Sequence, residues 1–449
     1  MNDTIAAIST ALGNGAISII KVSGDDSISI VNSIFKGANL NKAKSHTIHY
    51  GHIYDKDRVL DEVLVSIFRS PRTFTTEDVV EINCHGGIYV TNRILELLLV
   101  NGARLGEPGE FTKRAYLNGR IDLTQAEAVM DIIESKTKNS LQMASNGLLG
   151  ETKKVISEFR GKLLYCLAQI EVNIDYPEYE DELQVTNEVL LPTIKDLIND
   201  IEGILKKAEV SKIIKNGINT AIIGKPNVGK SSLLNALIRE DKAIVTNIAG
   251  TTRDIVEGQI DIGGVVLNLI DTAGIRVTED VVEKIGVQKT KKVLNEADFI
   301  VLVFDYSTPL DDVDLELLEI TKNKNRLIIV NKKDLSQRIN LNLFDDYLLI
   351  SSYDSDDINL IEQSIKKVYS LNKIDYIDPT YIGNTRQLAK LKIAKKQLMD
   401  ALTAINNEFP VDIVAIDILN SWTSLGEILG EVSGDDLINE LFSKFCLGK

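Results

Sequence analysis

Apolar and polar positions set out the chain in three stretches of different character. Residues 15–22, 47–53, 62–68 and 78–84 read as strands, and residues 25–35 and 87–100 carry apolar side chains at helical spacing, so the first 115 or so residues read as mixed α/β. The pattern changes after Leu117. Thr124 and Glu127 have the spacing of a capping box, apolar Val129, Ile132 and Ile133 follow at helical spacing, and helix-forming sequence runs on to about residue 174. Pro177, ahead of the acidic run 178–182, interrupts it, and a further helical stretch covers 188–208. Near Gly217 the pattern switches again. Apolar runs at 219–223, 265–270, 299–304, 327–330 and 348–350 alternate with helical segments, as in a parallel α/β sheet. Residues 259–262 and 265–269, joined across Gly263 and Gly264, read as a hairpin on that sheet. From about Asp375 the chain is helical again. The simplest organisation is an α/β domain inserted into a helical domain whose halves flank it.

Composition narrows the class. With 449 residues there is room for roughly three domains. The content, 44% hydrophobic and 26% charged, is that of a globular protein with cores. No apolar run approaches the roughly 20 residues that span a bilayer, and MNDTIAAIST has no basic segment leading into an apolar one, so neither a membrane association nor a signal peptide is expected. Cys84, Cys166 and Cys446 are odd in number and widely spaced, which suits a reducing, cytoplasmic location. His46, His49 and His52 are accounted for by placement on and around a strand. The formal charge of −15 excludes nucleic-acid capture by general electrostatic attraction, so any such role needs a local patch or a basic partner.

The chemistry concentrates between Gly224 and Asp334. GKPNVGKS at 224–231 follows an apolar run and opens a helical one, the context in which a glycine-rich loop wraps phosphate oxygens with its N–H groups. Lys230 would reach the β and γ phosphates and Ser231 would bind Mg²⁺. Asp271, Thr272, Ala273 and Gly274 come at a strand end, where the Asp can hold the Mg²⁺ shell through water and the Gly N–H can follow the γ-phosphate. Asn331, Lys332, Lys333 and Asp334 follow the strand at 327–330; the Asp carboxylate accepts from guanine N1–H and the exocyclic amine, and adenine lacks that donor pair. Ser351 and Ser352 stand where a further base-contacting loop belongs. GTP is therefore the expected nucleotide. The position that holds a water-orienting glutamine in Ras-type GTPases is Ile275, which cannot orient water. Residues 250–254, GTTRD, lie where switch I is expected, with a threonine to complete Mg²⁺ coordination. The amide oxygen of Asn227 could hold a monovalent cation against the phosphates, doing the work of an arginine finger.

GKPNVGKSS, AGTTRD at 249–254, DTAGIR at 271–276 and NKKD, together with EDVVEINCHGG at 77–87, GEPGEFTKRAYLNGRIDLTQAEA at 106–128 and the C-terminal FCLGK, make the chain resemble, over essentially its whole length, the MnmE (TrmE) family of bacterial GTPases that modify the tRNA wobble uridine. The resemblance implies a multidomain α/β plus α fold: an N-terminal α/β dimerisation and folate-binding domain at 1–117, a helical domain at 118–213 and 375–449, and a Ras-like P-loop GTPase domain at 214–374 inserted into it. It implies nucleotide contacts from Asn227, Val228, Gly229, Lys230, Ser231, Ser232, Thr246, Asn247, Ile248, Ala249, Gly250, Thr251, Thr252, Asp271, Thr272, Ala273, Gly274, Asn331, Lys332 and Asp334. K⁺ would be bound by Asn227, Thr246, Ile248 and Thr251, Mg²⁺ by Ser231 and Thr252, and water would be activated by Glu283, with Thr251 and Cys446 as further candidate catalytic residues. By the residues alone Glu283 reads as a solvated helix position. A reduced folate, 5-formyl- or methylene-tetrahydrofolate, would be held by Lys21, Glu81, Arg120 and Lys449, and Cys446 matches the family's C-terminal cysteine. Lys21 departs from the family's arginine and Thr76 from its glycine.

The implied partners are a second copy of the chain, tRNA and an FAD-dependent MnmG-type protein in a heterotetramer or larger complex. The implied activity is K⁺-stimulated GTP hydrolysis coupled to installing an aminomethyl-type group at C5 of the wobble uridine. The alternative is a ribosome-assembly-type regulatory GTPase without a base-modifying role.

Overall fold

The computed structural model describes residues 3–175, 186–239, 258–262, 264–270, 293–369, 382–431 and 434–449. They fall into two compact units, one of Met1–Met130, Leu148–Ile194 and Lys396–Lys449, the other of Asp131–Gly147 and Lys195–Lys395.

The first unit is built on a seven-stranded sheet of β1 (Ile5–Ile8), β2 (Ile17–Ser23), β3 (Phe35–Lys36), β4 (Thr47–Asp55), β5 (Arg58–Phe68), β6 (Val79–His85) and β7 (Arg104–Leu105), in the order β3-β4-β5-β6-β2-β1-β7. The pairs are antiparallel apart from β1–β7. Alternation along the strands gives the sheet two unlike faces. Ile20, Val22, Val63, Val65, Ile67, Val80 and Ile82 form a core with Ile28 and Val31 of α1 (Ser27–Ile34) and Ile94 and Leu98 of α2 (Ile88–Val100). The other face leaves Ile17, Ile48, Tyr50 and Leu64 exposed. His49 and His52 lie on β4, with His46 just before it. β1 was not anticipated, because IAAI is too short and uniformly apolar to show a period.

α3 (Glu110–Leu117) follows, with Arg114 only 1% exposed at its centre. The Arg114 guanidinium meets Asp3 at 2.8 Å, Glu110 at 3.0 Å and Glu77 at 3.1 Å. The helical sequence expected to run to residue 174 is three helices: α4 (Leu123–Glu134), α5 (Lys138–Leu148) and α6 (Glu151–Asp175), with Gly150 at φ 85° between the last two. The capping box is shifted too. Asp122 Oδ1 accepts the N–H groups of Thr124 and Gln125, while Gln125 Oε1 accepts the Asp122 N–H, so Asp122 and Gln125 make the reciprocal pair and Thr124 is already inside the helix. The acidic run at 178–182 lies outside the described residues. α7 (Leu191–Asn216) extends further than the pattern suggested and stops at Gly217, whose φ of 76° an L side chain resists.

The second unit holds a six-stranded sheet of β8 (Ile218–Ile223), β9 (Gln259–Ile262), β10 (Val265–Leu269), β11 (Phe299–Asp305), β12 (Arg326–Asn331) and β13 (Leu348–Leu349), ordered β13-β12-β11-β8-β10-β9. All its pairs are parallel except the β9–β10 hairpin, as the alternating pattern required. β11 is buried at every position, and separate apolar clusters cover the two faces of the sheet. α8 (Lys230–Arg239), α9 (Asp312–Ile320) and α10 (Ser355–Val368) alternate with the strands.

α11 (Thr385–Asn406), α12 (Val411–Leu429) and α13 (Asp435–Ser443) complete the chain. α12 packs on α6, where Arg160 lies 4.0 Å over the Trp422 ring. The residues after α13 dock on the N-terminal domain: Gly109 N donates to Cys446 O at 3.2 Å, Phe111 N to Lys449 O at 3.1 Å and Ser9 Oγ to Gly448 O at 3.2 Å. α3 has no side-chain cap, so the Cys446 and Lys449 carbonyls satisfy N–H groups that its N-terminus would leave open. No helix among the described residues is long and apolar enough to cross a membrane.

Candidate nucleotide-binding site

β8 delivers the chain to the loop at 224–231 and α8 receives it. Gly224 lies so close to β11 that a Cβ there would collide with Val303 O, and at Gly229 (φ 98°) it would strike the Asn331 amide. Asn227 adopts φ 63°, a conformation asparagine tolerates better than most side chains. These constraints wrap the loop ahead of the N-terminus of α8, where unpaired backbone N–H groups and the helix dipole favour an anion. Lys230 curls back over the loop, its Nζ donating to Gly224 O at 2.7 Å and Lys225 O at 2.6 Å, and burial lowers its pKa. A phosphate chain would take over those donors. Lys225 anchors the other rim, pairing with Asp311 at 2.8 Å and Asp314 at 2.6 Å, the two members of the α9 capping box.

The base side is assembled at the ends of β12 and β13. Asn331, 2% exposed, donates Nδ2 to Val228 O at 3.1 Å, and its Oδ1 accepts from Ser352 N at 3.1 Å and Ser352 Oγ at 2.9 Å. One amide thus ties the phosphate loop, the NKKD turn and the Ser351–Ser352 turn together. Lys332, at φ 67°, reaches Asn227 O at 2.7 Å and Asp305 at 2.6 Å. Burial alone would raise the Asp305 pKa, but hydrogen bonds from Lys332 and Ser307 outweigh it and hold the carboxyl below its usual range. Ser351 Oγ donates to Asp334 Oδ1 at 2.9 Å, beside an open basin that Tyr353 also lines.

The structure therefore brings Asn227, Val228, Gly229, Lys230, Asn331, Lys332 and Asp334 together, with Ser231 and Ser232 in the first turn of α8. Thr246, Asn247, Ile248, Ala249, Gly250, Thr251, Thr252, Asp271, Thr272, Ala273, Gly274 and Glu283 lie outside the described residues, so of the expected metal ligands only Ser231 and Asn227 can be located.

In the N-terminal domain Lys21 and Glu81 face each other in the β2–β6 register with their charged atoms 3.9 Å apart. Burial lowers the Lys21 pKa, Glu81 opposes that, and Lys449 lies near enough to lower it further. Arg120 instead contacts Phe74, donating to its carbonyl at 2.9 Å and lying 4.9 Å over its ring. Cys446 is exposed and unbridged.

Residues 4–120 match the family model of the GTP-binding protein TrmE N-terminus and residues 123–446 that of the MnmE helical domain. Proteins named tRNA modification GTPase MnmE align along the full chain: 52% identity in Lactococcus lactis subsp. lactis (100% of this chain, 98% of the relative) and 50% in Bacillus cytotoxicus (100% and 99%). The chain belongs to the MnmE family. The MnmE relative of Acholeplasma laidlawii is 50% identical over 99% of both chains. The G domain of the T. maritima FeoB iron transporter aligns with 34% of this chain and 98% of its own at 25% identity, with a TM-score of 0.26.

Within this MnmE-family chain, the geometry adds residues that the motifs did not point to. Lys225 occupies a variable motif position, and Asp305 closes a strand that reads only as apolar core. Their one sequence signal is a charge at the end of a strand or inside a phosphate loop. Thr76, where the resemblance expects glycine, has φ 64°, which explains the preference for glycine and marks Thr76 as strained.

Proposed function

We propose that this GTPase of the MnmE family acts in tRNA modification with an FAD-dependent MnmG-type partner, installing an aminomethyl-type group at C5 of the wobble uridine. A reduced folate would supply the one-carbon unit, and K⁺ would stimulate GTP hydrolysis. One observation carries the nucleotide half of the reading. The phosphate loop, the NKKD turn and the Ser351–Ser352 turn are joined through the single buried side chain of Asn331.

Lys230 binds the β and γ phosphates, the α8 N-terminus receives them, and Asp334 takes the guanine edge. The donor set fits: among the described residues Lys230 Nζ donates to loop carbonyls that a phosphate chain can replace. Ser231 and Thr252 would hold Mg²⁺, and Asn227, Thr246, Ile248 and Thr251 would hold K⁺; the cations neutralise charge that develops on the phosphates. Glu283 is assigned to orient the attacking water, since Ile275 cannot.

In the N-terminal domain, half-buried Lys21 and neighbouring Lys449 suit the carboxylates of a folate tail, and Glu81 suits the donor edge of a pterin. Arg120 and Cys446 belong to the same reading, as do the domain limits 1–117, 118–213, 214–374 and 375–449. A homodimer is supported by the uncovered sheet face of Ile17, Ile48, Tyr50 and Leu64.

The decisive experiment is mass spectrometry of wobble uridines from cells lacking the protein; unchanged nucleosides sink the modification reading while leaving GTP hydrolysis intact. Replacing K⁺ by Na⁺ in a hydrolysis assay tests the cation, and an unchanged rate counts against it. At a charge of −15, the isolated protein should bind tRNA weakly at physiological salt, and tight binding in a filter assay would contradict a division of labour with a basic partner.

A further inference from the structure

Beside the guanine-contacting turn lies an ion pair that the nucleotide motifs do not explain. Lys333, the variable residue of NKKD, directs its ammonium to α10, reaching Asp357 Oδ1 at 2.6 Å and Asp354 at 3.2 Å. Asp357 is 4% exposed, and its other oxygen accepts the Ser351 N–H at 2.7 Å. An acid at the third position of a helix ordinarily reaches back to the N-cap residue's own N–H. Here the N-cap is Asp354, whose N–H is taken by Ser351 O at 3.0 Å, and the Asp357 carboxylate goes one step further, to Ser351 itself. Ser351 in turn donates to Asp334, the carboxylate assigned to the base. Lys333, Asp357, Ser351 and Asp334 thus form a closed ring of contacts, because Lys333 and Asp334 are adjacent in the chain.

We propose that Asp357, held by Lys333, is a positioning residue that sets guanine selectivity by fixing Ser351 against Asp334. The proposal rests on the reading of this site as one for guanine nucleotides. Discrimination by a carboxylate needs both of its oxygens on the N1–H and 2-amino donors of the base. Releasing Ser351 lets Asp334 pivot, so one bond survives and the second is lost. Removing Lys333 leaves a buried carboxylate without its counter-charge, and removing the Asp357 charge weakens the hold on Ser351.

The test uses the full-length protein with fluorescent mant-GDP and mant-IDP, since the inosine base lacks the 2-amino group. Asp357→Asn and Lys333→Met should each cut the preference for GDP over IDP about tenfold, through faster mant-GDP release. For GTP hydrolysis the loss should fall on KM rather than kcat, because no phosphate contact is touched. The double variant should be no worse than the more affected single one, since the two residues act through one contact. An unchanged preference in variants that melt like the parent overturns the proposal, and so does an equal loss for both nucleotides. If Asp357→Asn fails to fold, Lys333→Met decides, because that side chain is 34% exposed. A parent protein that binds neither nucleotide would overturn the guanine reading itself, an outcome distinct from selectivity that ignores these two residues.

Discussion

Asn331 shows how much one buried amide can carry. It satisfies Val228 O, Ser352 N and Ser352 Oγ at once, in a place water does not reach. Asn331→Ala should cost about 2–3 kcal/mol of stability, because it strands buried polar groups, and should weaken GDP binding in the same preparation. Urea denaturation and a nucleotide titration check the two effects, and an unaltered urea midpoint would contradict the first. Thr76 makes the opposite case. Its φ of 64° is unfavourable for a β-branched side chain, so Thr76→Gly should stabilise the protein by roughly 0.5–1 kcal/mol even after the entropy cost of glycine. A lower melting temperature in the variant would refute this.

Among the elements, α7 offers a matched pair of glycines. At Gly217, φ is 76° and an added Cβ would lie 2.5 Å from Val266 O, a backbone atom of β10 that cannot move aside. Gly203, inside the helix, has nothing within 4 Å of that position among the described residues. Gly217→Ala should therefore destabilise by about 2 kcal/mol or more, and Gly203→Ala should stabilise by about 0.5–1 kcal/mol. Equal shifts in the two denaturation midpoints would show that the left-handed turn is not what ends α7.

The same contrast explains what could be read ahead of the structure. The parallel sheet of the second unit was legible because β8, β11 and β12 each carry an apolar run between helical segments, and the phosphate loop because β8 and α8 flank it in sequence. β1 was not, since four apolar residues carry no period. The breaks between α4, α5 and α6 were hidden in sequence that favours helix throughout, where Gly150 is one weak mark. In the candidate site, Ser351 could be anticipated from its place after a strand. Asp357 could not, since its partner Lys333 comes from the far side of β13 and only the folded sheet sets them side by side.

At the scale of the whole molecule the excess of acid groups meets local ion networks that oppose it. Glu110 is 4% exposed; burial alone would raise its pKa, yet hydrogen bonds from Arg104, the Glu107 N–H and Arg114 outweigh that and hold it below the usual range. A carboxyl depressed by folding contributes stability that is present above its unfolded pKa and lost as the pH falls through the folded value. The parent should accordingly lose more stability than Glu110→Gln between about pH 5 and pH 3. Parallel loss in both proteins, followed by denaturant midpoints across that range, would remove Glu110 from the acid response.

The docking of residues 446–449 onto α3 and Ser9 joins positions as far as 439 apart in sequence. A variant cut before Phe445 would carry an α3 whose leading N–H groups are turned to water, and Gly109 would lose the packing of Phe445. Residues 446–449 thus serve α3 as a cap lent from far along the chain, and amide hydrogen exchange at Gly109 and Phe111 reports whether that cap is seated.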